Sequence, residues 1–508
     1  MKHRAIKRRN IVIGIGTAAG AAVVGGAAVG AQAAPGGASR SAKDLGSLAF
    51  DPGAYTELTT TVTTQNGEME VKYRFWKALT YVADPVDVKY QSLNVSVPVE
   101  IDGTAVDASD APILLANSIG GYMPSSVADA DGVGAGGALS SNQLLAVAAG
   151  YVVVEPGARG RTLTNAQGEY YGTAPAVIVD LKAAVRYVRA NKGRIPGDTE
   201  RIVSAGTSAG GALSALLGAS GDSRLYDSYL RELGAADASD AVFAVGAWCP
   251  ITDLEHADGA YEWNWGTSPL KSGEQADRTV SEELSSQFAG YQARLKLRGL
   301  GGFGPLNARN YDDYLLKQYM RPSATTYLKG LSAADREAYL ADNPFITWRD
   351  GRATFTWEDF VTHVGTRKKD APAFDPFDLS SGENNEFGAG MTGSRHFTVY
   401  GARNDSTGLE NRRVAGDIPA LLDLMNPMYH LGKGNPGRSR YWWIRLGTDD
   451  TDTSHVISAN LAASASGLGD DVDHLYYWDQ GHGANTDPAD FIAWIARVTG
   501  HAKRSGRH

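Results

Sequence analysis

Residues 201–217 read RIVSAGTSAGGALSALL. Arg201 to Ala205 has the apolar character of a buried strand and Ala209 to Leu217 that of a helix. Between them Gly206-Thr207-Ser208-Ala209-Gly210 has the form G-x-S-x-G. In a chain with 60 glycines among 508 residues that pattern carries little by itself. Its setting carries more. A serine on a sharp strand-to-helix turn holds its hydroxyl out at the carboxyl edge of a sheet, and the flanking glycines let backbone segments approach closely. Ser208 is therefore the candidate nucleophile, the alternative being a small residue in a glycine-rich turn.

On the N-terminal side, Ala111–Asn117 and Gly150–Val154 are short unbroken apolar runs, as expected of strands covered on both faces. Asn142–Ala149 reads as the end of a helix between them. Val177, Leu181, Ala184, Val185 and Val188 recur at three- and four-residue spacing, which predicts an amphipathic helix over Pro175–Asn191. Strands alternating with helices imply a mostly parallel sheet with helices on both faces. Two earlier runs with strand character, Tyr73–Tyr81 and Val88–Val97, flank Asp84-Pro85. From about Leu254 to Met425 the alternation gives way to charged helical pieces, Thr279–Leu297 and Ser332–Ala341, and to the glycine-rich Gly299–Gly304. It resumes with Tyr441–Leu446 and Val472–Trp478. The predicted organisation is a catalytic sheet domain over residues 45–253 and 426–500, interrupted by an inserted lid domain over 254–425.

The N-terminus reads as an address. Lys2, Arg4, Lys7, Arg8 and Arg9 precede an uncharged run from Ile11 to Ala33 that ends in the small-x-small site Ala31-Gln32-Ala33, the pattern of a signal peptide over residues 1–33. Arg8-Arg9 directly before the apolar run points to the twin-arginine route, hence to a secreted protein. An uncleaved anchor helix is the alternative, since a run this long can span a bilayer; its many glycines and the cleavage site weigh against that. Loss of those five cations takes the formal charge from −9 to −14. An acidic chain has no electrostatic footprint for nucleic acid, and the basic end at 501–508 is short enough to be a solvated tail. Cys249 is the only cysteine, so neither an intramolecular disulfide nor a cysteine-based metal site is available. In its apolar run it is expected to be a buried, inert thiol.

A serine hydroxyl needs an imidazole base, which a carboxylate orients in turn. In hydrolases with such an elbow the chain order is serine, acid, histidine. Of the late histidines, His430 precedes any acid that could follow Tyr441–Leu446, His474 lies within a strand run, His455 opens a helix, and His501 and His508 belong to the tail. His482, in Gln480-Gly481-His482-Gly483 just past the last strand, is the candidate base. The loop Gly447–His455 offers Asp449, Asp450 and Asp452 as the acid, and the pattern does not choose among them. Asp452 or Thr453 is an alternative candidate for capping the helix that follows. Asn117–Gly121 follows a strand as an oxyanion loop does, and the N–H of Ala209 would be the second donor. Arg159 and Arg161, near the same edge, either line the site or pair with local acids.

These residues resemble those of the bacterial tannases, esterases of the α/β-hydrolase superfamily that act on galloyl esters. The likeness runs through Ala111–Pro124, Gly150–Arg161, Ala205–Leu213, Cys249–Trp263, Pro372–Phe387 and Gly447–Ser454. The resemblance implies the α/β-hydrolase fold and a triad of Ser208, Asp450 and His482, with Gly121 beside Ala209 as oxyanion donors. It also implies that Lys369, Glu383 and Asp452 bind the three phenolic hydroxyls of gallate; read without it, Lys369 and Glu383 are solvated surface charges. The first part of the lid, before about residue 365, matches much less well. The expected function is a secreted serine esterase for gallic acid esters and gallotannins, including their depside bonds, taking a small phenolic ester and needing no metal or organic cofactor. It is expected to be a monomer with no stable membrane association once the leader is removed. The alternatives are a feruloyl-type or general carboxylesterase on the same triad and, from another class, a non-catalytic phenolic-binding protein.

Overall fold

The apolar runs of the first half lie side by side. A computed structural model describes residues 45–135 and 140–501, so the leader at 1–33 and the basic end beyond His501 lie outside the described residues. Ten strands form the main sheet among them: β1 (Thr56–Thr64), β2 (Gly67–Thr80), β3 (Ser92–Ile101), β4 (Thr104–Ala105), β5 (Ile113–Ala116), β6 (Val152–Pro156), β7 (Ile202–Thr207), β8 (Ala244–Trp248), β9 (Tyr441–Gly447) and β10 (Asp471–Tyr477). The spatial order is β1-β2-β3-β6-β5-β7-β8-β9-β10, with β4 on β3. β1, β2, β3 and β6 pair antiparallel, whereas β6 through β10 pair parallel. Helices α1 (Ser140–Ala148), α2 (Ala176–Ala190) and α3 (Ala209–Ala219) connect the parallel strands. Every residue of β5, β6 and β8 is buried, which is why those segments are apolar without alternation.

Two differences from the sequence reading have local causes. The strand expected from Val88 begins only at Ser92, and Val86 and Val88 are exposed. There the Gln91 side-chain oxygen accepts from the N–H groups of Val86 and Asp87, at 2.6 and 3.0 Å, and Asp87 accepts from Lys89 N–H. These side-chain bonds occupy donors that a ladder would need. β1 was not anticipated, because in TELTTTVTT only Val62 is buried and no apolar alternation shows; its β-branched threonines suit an outer strand.

β5 connects to β6 on one side of it, while β7, on its other side, connects onward to β8. The loops after β5 and β7 thus diverge and leave a crevice at the carboxyl edge of the sheet. After β8 the chain departs from the sheet and returns at β9. The intervening segment carries the helices Leu254–Trp265, Arg278–Leu295, Ala333–Asp342 and Trp357–Val364 among others. Its core is aromatic and continuous with that of the sheet: Tyr319 stacks on Tyr476 of β10 at 4.6 Å, and Trp265 and Phe360 pack on His455. No helix among the described residues is long and apolar enough to cross a membrane.

Candidate active site

The turn between β7 and α3 puts Ser208 at φ 58°, ψ −125°, a region an L-residue occupies at a cost of about 1–3 kcal/mol. Neighbouring backbone holds it there. Ser208 N–H donates to Trp248 O at 3.0 Å, and Gly210 N–H donates to Ile119 O at 2.9 Å. A Cβ on Gly206 would collide with the carbonyl oxygen of Gly210, and one on Gly210 with the Asn117 side chain. Asn117 itself, buried, donates to Gly210 O, Ala205 O and Ser214 Oγ at 3.0–3.1 Å. It therefore staples the loop after β5 to the elbow at the start of α3. Nothing in the residue pattern marked Asn117 for that task.

His482 and Asp450 meet this turn from the loops after β10 and β9. Ser208 Oγ–H donates to His482 Nε2 at 2.8 Å, and His482 Nδ1–H donates to Asp450 Oδ2 at 2.8 Å. Asp450 is fully buried, and its other oxygen accepts from Asp452 N–H at 3.0 Å. Of the three acids in the loop, Asp450 is the one bonded to His482. The loop is fastened from below: His455 Nε2, Tyr261 OH and Trp265 Nε1 lie at 3.1, 2.8 and 2.8 Å from the carbonyl oxygens of Thr448, Thr451 and Thr453. Burial pushes the His455 imidazole down to about 3, so it is neutral there. The cap of the following helix is Ser454, whose hydroxyl accepts from Val456 N–H, and neither Asp452 nor Thr453 serves.

Burial disfavours a charged His482, but the hydrogen bond to Asp450 and the neighbouring Cys249 outweigh it, so its pKa is held above the ordinary histidine value. Cys249 is buried, as its apolar run implies. Just past the end of β8, with φ 38°, it places Sγ 3.9 Å from His482 Nε2. The buried thiol is thus also a neighbour of the imidazole.

Lys369, Glu383 and Asp452 converge from three segments. Burial lowers the Lys369 pKa, opposed by Glu383, Asp452 and Asp258, which face its ammonium, and Nζ lies 3.5 Å from the centre of the Phe374 ring. Asp452 is paired with Lys368 at 2.6 Å, a neighbour the sequence did not single out. Tyr261 OH accepts from the N–H groups of Lys368 and Lys369 while donating to Thr451 O, so one phenol ties this turn to the loop of Asp450 and Asp452. Arg367 is paired with Glu262, both fully buried, and its Nε donates to Lys369 O at 2.7 Å. Removing one partner of such a pair strands a buried charge. Arg367→Met should therefore lower stability by about 3–5 kcal/mol in a urea titration. Glu383 stands in the first turn of the helix Gly382–Glu386, which begins with a capping box between Ser381 and Asn384.

The two arginines part company. Arg159 forms a buried pair with Asp180 at 2.8 Å and is structural. Arg161 bridges the loop of Gly121 to the helix of Glu383.

A nucleophile, a base and a carboxylate in hydrogen-bonded sequence, beside two candidate backbone donors, can run acyl transfer. Comparison with known proteins agrees. A family model described as BD-FAE matches residues 133–287. The esterase LipC of Mycobacterium tuberculosis is 37% identical over 98 residues, which is 19% of this chain and only 21% of that protein. Among solved structures, a tannin acyl hydrolase in complex with ethyl gallate superposes with a TM-score of 0.79 at 34% identity, covering 89% of this chain and 99% of that one. The tannase of Fusobacterium nucleatum gives 0.77 at 35% identity, with the same coverage. Likeness of that extent, over a sheet whose carboxyl edge carries the hydrogen-bonded serine, is a family relationship: the chain belongs to the tannases, carboxylic ester hydrolases of the α/β-hydrolase fold.

Proposed function

We propose that this protein is a secreted serine esterase that hydrolyses esters of gallic acid, depsides included, through an acyl-enzyme on Ser208. The observation that carries the mechanism is the unbroken chain from Ser208 Oγ through His482 to Asp450, at 2.8 Å per link. His482 takes the hydroxyl proton as Ser208 attacks the ester carbonyl. The N–H groups of Gly121 and Ala209 receive the developing oxyanion, and removal of one such donor typically costs about 10²–10³ in rate. The tetrahedral intermediate collapses as His482 returns the proton to the leaving alcohol. Water, deprotonated by the same imidazole, then attacks the acyl-enzyme, and collapse releases free acid and restores Ser208–H. Asp450 keeps Nδ1 protonated and stabilises the imidazolium throughout.

The acyl group is read by Lys369, Glu383 and Asp452. Carboxylates accept from phenolic hydroxyls, and an ammonium donates to a phenol oxygen. Their partial burial supports this role, because a desolvated polar site left unpaired by an unhydroxylated ring disfavours that ring. A relative whose structure holds ethyl gallate supports the choice of acyl group. Secretion rests on the leader at residues 1–33.

Selectivity is the test. Glu383→Gln and Asp452→Asn should each lower kcat/KM on methyl gallate about 10- to 100-fold while changing it on 4-nitrophenyl butyrate by less than about threefold, the worth of a charged hydrogen bond. Equal losses on both esters would assign these residues a structural role and leave a general esterase.

A further inference from the structure

Arg161 holds two parts of the site that no chain connection joins. Its backbone N–H donates to Tyr122 O at 2.9 Å, and its Nε donates to Gly121 O at 2.7 Å. Its Nη1 donates to Asn385 Oδ1 at 2.9 Å, on the helix that carries Glu383. The approach to that helix is close. A Cβ on Gly382 would lie 2.8 Å from Arg161 Nη2 and 2.9 Å from Cζ, so the guanidinium rests against a glycine that a larger residue would displace. The Asn385 amide is oriented by its own donation to Gly393 O, which leaves Oδ1 facing the arginine. Both side-chain acceptors of Arg161 are neutral. Glu386, on the same short helix, is fully buried with no hydrogen-bond partner on either carboxyl oxygen, and burial raises it well above the usual carboxylate range against the opposing charge of Arg161.

We propose that Arg161 is a positioning residue that couples recognition of the acyl group to assembly of the oxyanion hole, by linking the helix of Glu383 to Gly121. The coupling rests on the reading of Glu383 as a galloyl contact given above. A guanidinium is a rigid planar fork whose prongs keep a fixed separation, so a shift of the helix is passed on to the loop without slack. An oxyanion donor is effective only when it is placed on the oxygen as it becomes negative, and small misplacements are costly. A ring that engages Glu383 through its hydroxyls thereby sets Gly121, and part of the binding energy appears in turnover instead of in KM.

The test compares kcat and KM on methyl gallate and 4-nitrophenyl butyrate. Asn385→Ala cuts the bridge to the helix and leaves the Gly121 contact. It should lower kcat on methyl gallate about tenfold, change KM less than about threefold, and leave the butyrate ester within about twofold of the parent. Arg161→Ala also releases the loop and should lower kcat on both esters about 10- to 100-fold. Arg161→Lys keeps the charge and the fold but not the fork, and should fall between parent and alanine. The coupling is overturned if Asn385→Ala lowers both esters by one factor or raises KM alone, or if Arg161→Lys leaves kcat unchanged. Failure of the galloyl reading is separate and shows in the parent enzyme as no preference for methyl gallate.

Discussion

Ser208→Ala should lower turnover of methyl gallate by about 10⁴- to 10⁶-fold and leave gallate binding within about threefold of the parent. The size follows from the geometry. With the hydroxyl gone, His482 has no proton to accept at 2.8 Å, and no acyl-enzyme can form. What remains is whatever the oxyanion donors and substrate positioning give to direct attack by water. On the proposed reading of Lys369, Glu383 and Asp452 binding should survive, because these residues come from other segments and alanine tolerates the elbow backbone as serine does. Stopped-flow turnover with calorimetric titration of gallate measures both halves. Residual hydrolysis within a hundredfold of the parent would remove Ser208 from the mechanism.

Asp450→Asn is the second large effect, about 10⁴ in kcat at neutral pH. An asparagine amide presents a donor toward Nδ1 and favours the tautomer that carries its proton on Nε2, where Ser208 must be deprotonated. The variant also changes the pH profile. In the parent, Asp450 holds the His482 pKa above the ordinary histidine value. The imidazolium cannot accept a proton, so kcat/KM falls as pH drops through that raised pKa. Without the carboxylate the imidazolium loses its partner, and the acid limb of the variant should move to lower pH beneath a reduced plateau. An acid limb that stays in place would mean that it reports some other group.

The elbow was legible because its determinants are local: a strand, two glycines and a helix lie within seventeen residues of sequence. His482 was legible by elimination from chain order. The choice of Asp450 over Asp449 and Asp452 came only with the family resemblance and not from the residue pattern, since three carboxylates in one loop differ only in direction, and the loop is fastened by Tyr261, Trp265 and His455 beneath it. Long-range pairing hid the rest. The Arg367 pair with Glu262 spans 105 residues and the Arg161 bond to Asn385 spans 224, so neither leaves a spacing that can be read. The burial of Cys249 was legible in its apolar run, but its place beside His482 was not, because the residue that follows a buried strand gives no sign of which loop it will meet.

The most direct measurement is release of free acid by the purified protein from methyl gallate and ethyl ferulate side by side, with Ser208→Ala as control. Gallic acid should appear far faster than ferulic acid, and only with Ser208 present. Rapid release of ferulic acid with no gallic acid would contradict this expectation: the serine chemistry would stand, and Lys369, Glu383 and Asp452 would have no part in reading the acyl group.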